Sequence, residues 1–180
     1  PGFNKVHIKT KKKEDDCNNN YFKKIIQTLS NEKNSIIILG GRFPLYETNY
    51  YFDNQEGGVE EQGDNKWSHE YVPSGKYDNI LKSFRNEILN LSKNHKIILI
   101  YTIPETGWNI SYKLLNSIRE QTDLTDLEKY LVPKNYITTS YQVYKKRNKT
   151  TFDLLNSIQN DNVYRIYPHS LLCNTIIKNR

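Results

Sequence analysis

The sequence predicts an α/β domain of three layers, α/β/α, built on a mostly parallel sheet. Three observations carry this. Short, continuous apolar runs occur at Ile36–Leu39, Lys96–Ile103 and Val163–Tyr167, the pattern of strands buried on both faces. Segments with apolar residues at helical spacing lie between and around them, as crossover connections between parallel strands require. Each run then stops at turn-forming residues: Gly40-Gly41, Pro104-Glu105-Thr106-Gly107 and Pro168-His169.

Taken in order, residues 1–20 are polar and lysine-rich and read mostly as loop. Tyr21–Leu29 places Phe22, Ile25, Ile26 and Leu29 on one helical face. A polar turn at Asn31–Asn34 leads into the first apolar strand. Residues 47–75 contain Gly57-Gly58, Gly63, Pro73 and Gly75 among acids and amides. No period survives there, so the stretch reads as a long loop excursion. Its acids, Glu56, Glu60, Glu61 and Asp64, have no metal-site spacing and read as solvated charge. Tyr77–Lys93 is a helix with Ile80, Leu81, Phe84, Ile88 and Leu91 as one stripe. Ser111–Glu120 is a short helix, and Leu124–Pro133 fits neither period. Thr139–Gln159 is a helix whose core positions are Tyr141, Tyr144, Phe152, Leu155 and Ile158.

The 180 residues suffice for one domain with a real core, and neither a repeat nor a linker marks a second. The chain holds 14 Tyr but no Met, begins Pro1-Gly2 and ends Asn179-Arg180, which reads as a piece of a longer chain cut at both ends. The net charge of +6 is spread out, with Lys11-Lys12-Lys13 and Lys145-Lys146-Arg147 the only dense clusters. These read as solvated faces; nothing resembles a nucleic-acid module. No apolar run approaches the ~20 residues of a membrane helix, and no signal peptide is visible. Asn90, Asn109 and Asn148 stand in glycosylation-acceptor triplets, a match that arises easily by chance in an Asn-rich chain. Cys17 and Cys173 lie far apart without metal-ligand spacing; they read either as buried thiols or as disulfide partners in an oxidising compartment.

Parallel strands bring their carboxyl-end loops to one edge, where ligands of open α/β sheets bind. The foremost loop is Gly40–Tyr46. Gly40 and Gly41 would let backbone N–H groups approach a ligand, and Arg42 would add charge, a combination that suits an oxyanion or phosphate. The alternative is a tight turn in which Arg42 pairs with a carboxylate. No phosphate loop, dinucleotide fingerprint, zinc-protease motif or nucleophile elbow occurs, so neither metal nor cofactor is expected. Of the four histidines, His95 reads as exposed, His69 as unpartnered and His169 as part of a structural turn. No Ser/His/Asp set can be assembled.

Ile36-Ile-Ile-Leu-Gly-Gly-Arg-Phe-Pro-Leu-Tyr46, Ile103-Pro-Glu-Thr-Gly-Trp108 and Val163-Tyr-Arg-Ile-Tyr-Pro-His-Ser-Leu-Leu-Cys173 resemble, in family order, three segments of SGNH-type domains. These are the domains fused to bacterial integral-membrane acyltransferases. The resemblance implies a three-layer α/β/α fold and O-acyl, usually O-acetyl, transfer to an envelope polysaccharide such as lipopolysaccharide. The acyl donor would be delivered by the membrane part of the same protein, on the periplasmic face of the inner membrane. It implies an oxyanion-side role for Gly40, Gly41 and Arg42, with Tyr46, Pro104 and Glu105 at the site edge. It also implies a disulfide partner for Cys173, either beyond Arg180 or Cys17. The chain departs from the family in lacking the Gly-Asp-Ser that carries the nucleophile and the Asp-x-x-His that supplies the base. These residues alone are therefore expected to show no esterase turnover. Two other readings are a non-catalytic α/β glycan-binding domain and an unrelated flavodoxin-like domain.

Overall fold

The computed structural model describes residues 3–12, 19–60, 66, 68–73, 79–119, 138–174 and 179–180. Its elements run β1 (Phe3–His7), α1 (Asn19–Asn31), β2 (Ile36–Leu39), α2 (Phe43–Thr48), β3 (His69–Pro73), α3 (Ile80–Leu91), β4 (Lys96–Ile100), α4 (Ile110–Arg119), α5 (Tyr141–Asn156), β5 (Val163–Ile166) and α6 (His169–Leu172).

The three apolar runs form one parallel sheet in the order β2-β4-β5. Its register pairs Ile37 with Ile97 and Ile97 with Val163, so equivalent side chains sit in rows across the sheet. Alternation along each strand then decides which rows are buried. Ile97, Leu99, Tyr101 and Val163 form the core with Ile88 of α3, Leu155 of α5 and Ile158. The phenol of Tyr101 donates to Asn156 Oδ1 at 2.6 Å, and burial pushes its pKa up to about 12. The opposite rows carry Ile36 and Ile38, which are 65% and 62% exposed, and the half-exposed Tyr164 and Ile166. Among the described residues the buried cluster covers one face of the sheet, with α3 and α5 packed on it.

The helices at α3 and α5 have the stripes that the spacing predicts. Asn79 fixes the start of α3, its Oδ1 accepting from the N–H groups of Leu81 and Lys82 at 2.7 and 3.3 Å. In α5, Tyr144 and Leu155 are buried, whereas Tyr141 and Phe152 are half-buried. Asn148 is 0% exposed, its Nδ2 donating to Tyr144 O at 2.8 Å, so its acceptor triplet is closed to glycosylation in the folded domain. The ambiguous segment 124–133 and Cys17 lie outside the described residues.

Two regions depart from the sequence reading. Within the leading segment, residues 3–7 are strand rather than loop: β1 pairs antiparallel with β3, from Phe3 opposite Pro73 to His7 opposite His69. The excursion at 47–75 is likewise ordered in part. It supplies β3, and isolated bridges join Tyr50 to Lys66 and Asp53 to Val59. The two strands are stabilised by backbone pairing across some sixty residues, which leaves little side-chain period to read. His95 is also a correction. It is 3% exposed; Ser35 N–H donates to its Nδ1 at 3.3 Å and its Nε2 bonds Leu29 O at 2.8 Å. It staples the end of α1 to the turn before β4.

Candidate functional site at the carboxyl edge

Leu39 delivers Gly40 to the carboxyl edge of the sheet. A Cβ on Gly40 would lie 3.3 Å from the Ile100 Cβ, and one on Gly41 would lie 3.4 Å from the Tyr46 ring. Neither glycine has positive φ. What these positions need is room, for the neighbouring strand end and for the ring. Arg42 then stands at the start of α2, where Leu45 N–H donates to its carbonyl and Pro44 occupies the first turn. Phe43 and Tyr46 fix the orientation of α2, ring edge against Phe84 and Tyr71.

Arg42 is fully engaged. Its Nε donates to Glu105 Oε1 at 2.9 Å and its Nη1 to Glu60 Oε1 at 2.7 Å, and its Nη2 reaches both carboxylates. The Glu60 hydrogen bond foremost, with Glu105 behind it, raises the guanidinium pKa against the opposing effect of burial. Burial pulls Glu60 upward, but Arg42 and the Phe52 N–H outweigh it, holding the carboxyl below its usual range. Glu105 has a second partner. Arg147 Nε donates to its Oε2 at 3.1 Å, and Arg147 Nη2 donates to Tyr50 O at 2.9 Å. The side chains of Glu105 and Arg147 are only 15% and 13% exposed. Two arginines and two glutamates therefore close on one another and lock four segments: the loop after β2, the excursion at Glu60, the loop after β4 and the middle of α5.

A second knot adjoins this clasp. Buried Asn54 accepts from Glu56 and Gly58 N–H, both at 2.8 Å, and its Nδ2 donates to Thr106 O at 2.9 Å. Gly107 requires its glycine, with φ of +73° and Gly58 O 2.5 Å from where a Cβ would be. Trp108 packs over Gly57 and Gly58, and Lys113 Nζ stands 3.1 Å from the centre of its ring system. Gly57 and Gly58 are thus packing residues.

Of the candidates named from sequence, the structure gathers Gly40, Gly41, Arg42, Tyr46, Pro104 and Glu105 along one edge. Cys173 is a free, buried thiol, pushed up in pKa by burial, and no disulfide forms among the described residues. His169 lies at the same edge among the rings of Tyr141, Tyr144, Phe152 and Tyr167. Burial lowers its pKa, and its Nδ1 has no hydrogen-bond partner among the described residues. Ser68 Oγ contacts His69 Nδ1 at 2.8 Å, a neighbour contact where β3 begins rather than at this edge. Among the described residues no group of three potential metal ligands occurs, and no helix is long and apolar enough to cross a membrane.

Sequence reasoning missed Glu60 and Arg147 as members of the network. For Arg147 a signal existed: it lies beside the buried row Tyr144, Asn148, Thr151 and Leu155, whereas Lys145 and Lys146 point outward. For Glu60, whose partners are brought by chain reversal, no local signal exists.

An α/β domain with a parallel sheet and linked strand-end loops is the class that fold and site define. Within that class, a family model described as the SGNH domain fused to AT3 domains matches residues 1–179. The chain belongs to this family. Searches among curated proteins and among solved structures return no match.

Proposed function

We propose that this chain forms part of an SGNH domain that passes an acyl group, most simply acetyl, to a hydroxyl of a cell-envelope polysaccharide on the periplasmic side of the membrane. The family's fusion to AT3 acyltransferase domains supports a donor carried by the same protein. The observation that carries the reading is the clasp through which Glu105 ties the Gly40–Arg42 loop to the loop after β4. Acyl transfer places negative charge on a carbonyl oxygen, and backbone N–H groups held rigidly at a strand end are the groups that stabilise it. Arg42 acts in this scheme by fixing the loop, because its charge is already neutralised by Glu60 and Glu105.

The test is acetyl transfer to purified envelope polysaccharide by the intact protein. Transfer is expected, and Arg42→Ala should lower kcat by about 100-fold through misplacement of the loop, with polysaccharide binding retained. Polysaccharide binding without any transfer would overturn the reading in favour of a glycan-holding domain. Transfer undiminished by Arg42→Ala would remove the clasp from the mechanism.

A further inference from the structure

At the opposite, amino-terminal edge of the sheet, the turns before β2, β4 and β5 border an open pocket of about 370 Å³. Lys33, Lys93 and Lys96 line it, together with Asn34, Asn94 and Asn162, and no carboxylate does. The ammonium groups of Lys33 and Lys96 form no hydrogen bond or ion pair with any described residue. Lys93 Nζ touches only a neutral amide, Asn90 Oδ1, at 3.2 Å. The nearby acids lie outside the lining: Glu32 accepts from the Ser35 hydroxyl at 3.3 Å, and Asp161 precedes Asn162.

The walls are rigid. Asn34 N–H donates to Asn94 O at 2.7 Å, Asn162 Nδ2 to Ser92 O at 2.8 Å and Ile97 N–H to Asn162 O at 2.7 Å. Buried His95 holds the end of α1 and Ser35 against the same turn. Helices α1, α3 and α5 end at this edge, and the carbonyl end of each brings roughly half a negative charge. That offsets part of the lysine charge, and no carboxylate enters the lining. A preorganised pocket with three ammonium groups and amide donors facing it suits a multiply charged anion.

We propose that this pocket binds a phosphomonoester group. The lysines supply charge-assisted hydrogen bonds to its oxygens, and Ile36 offers an apolar wall beside them. A soluble phosphorylated molecule and an anionic lipid headgroup share this chemistry. The site is separate from the acyl-transfer edge and stands or falls independently of that reading.

The test titrates the detergent-solubilised intact protein with inorganic phosphate by calorimetry and pellets it with beads coated in phosphatidylcholine containing phosphatidic acid or in pure phosphatidylcholine. The Lys33→Gln/Lys93→Gln/Lys96→Gln protein should lose about tenfold or more in phosphate affinity, and the corresponding Lys→Arg protein should keep it. Circular dichroism melts check that both fold; single Lys→Gln variants replace the triple if it does not. Lysine-dependent pelleting identifies the lipid headgroup as the source. Phosphate binding with pelleting no greater than on pure phosphatidylcholine identifies a soluble ligand. Equal phosphate affinity in the parent and Gln proteins, or no lysine-dependent signal with either probe, overturns the site.

Discussion

The two ends of the parallel sheet use positive charge in opposite ways. At the carboxyl edge, Arg42 and Arg147 meet Glu60 and Glu105, and the cations are consumed in holding loops together. At the amino edge, Lys33 and Lys96 have no acidic partner among the described residues, and the turns beneath them are held by backbone and amide bonds instead. The side-chain types follow the tasks. Arginine's planar fork serves two carboxylates at once, whereas lysine's mobile point charge adds little to a rigid structure. A basic residue at a strand end is therefore read by asking whether an acid from a distant segment reaches it.

Four variants break or sharpen this contrast. The largest effect is expected for Glu105→Ala, which leaves the largely buried Arg147 guanidinium without a carboxylate and Arg42 with Glu60 alone, and should cost about 3 kcal/mol in urea denaturation. A loss within ~0.5 kcal/mol, the range of a neutral surface change, would mean that the clasp is ornamental. Gly58→Ala comes next. The added Cβ would fall 2.3 Å from Asn54 Nδ2 and 2.6 Å from the Trp108 ring, an overpacking that should cost about 2 kcal/mol by the same measurement.

Glu60→Gln is smaller, about 1 kcal/mol or less, because this pair is partly open to solvent. Its signature is a pH dependence. The folded carboxyl titrates below its unfolded value, so its contribution is complete above about pH 4.5 and disappears as the pH falls through the folded value. The parent's melting temperature should thus fall more steeply in acid than that of Glu60→Gln; parallel curves would refute the assignment. Least of all, the triple Lys→Gln change at the amino edge should alter stability by no more than ~0.5 kcal/mol, leaving its effect to ligand binding.

The same contrast explains what could be read in advance. Strands β2, β4 and β5 are continuous apolar runs, and α3 and α5 carry their stripes in the sequence, because burial on a regular element imposes a period. Strands β1 and β3 impose none. Phe3-Asn-Lys-Val-His7 and His69-Glu-Tyr-Val-Pro73 find each other through main-chain bonds, and β3 is half-buried along its length. Helix α2 escaped notice at six residues, although Pro44 in its first turn marks such a start. At the candidate site, Arg42 and Glu105 were legible as strand-end residues. Their mutual bond and the arrival of Glu60 and Arg147 were not, since those depend on how distant segments converge. His95 was misread for a related reason: a polar turn sequence does not disclose that α1 will end on top of it.

The Asn54 knot bears on the speed at which the domain comes apart. Its amide spans 52 residues to reach Thr106, and the Gly58–Gly107 contact closes a similar distance. Bonds that close such long loops form late, after local elements have docked. Interactions absent from the folding barrier act on the escape rate alone. Asn54 is therefore a brake: removing it should leave refolding nearly as fast as before and shorten the lifetime of the folded domain.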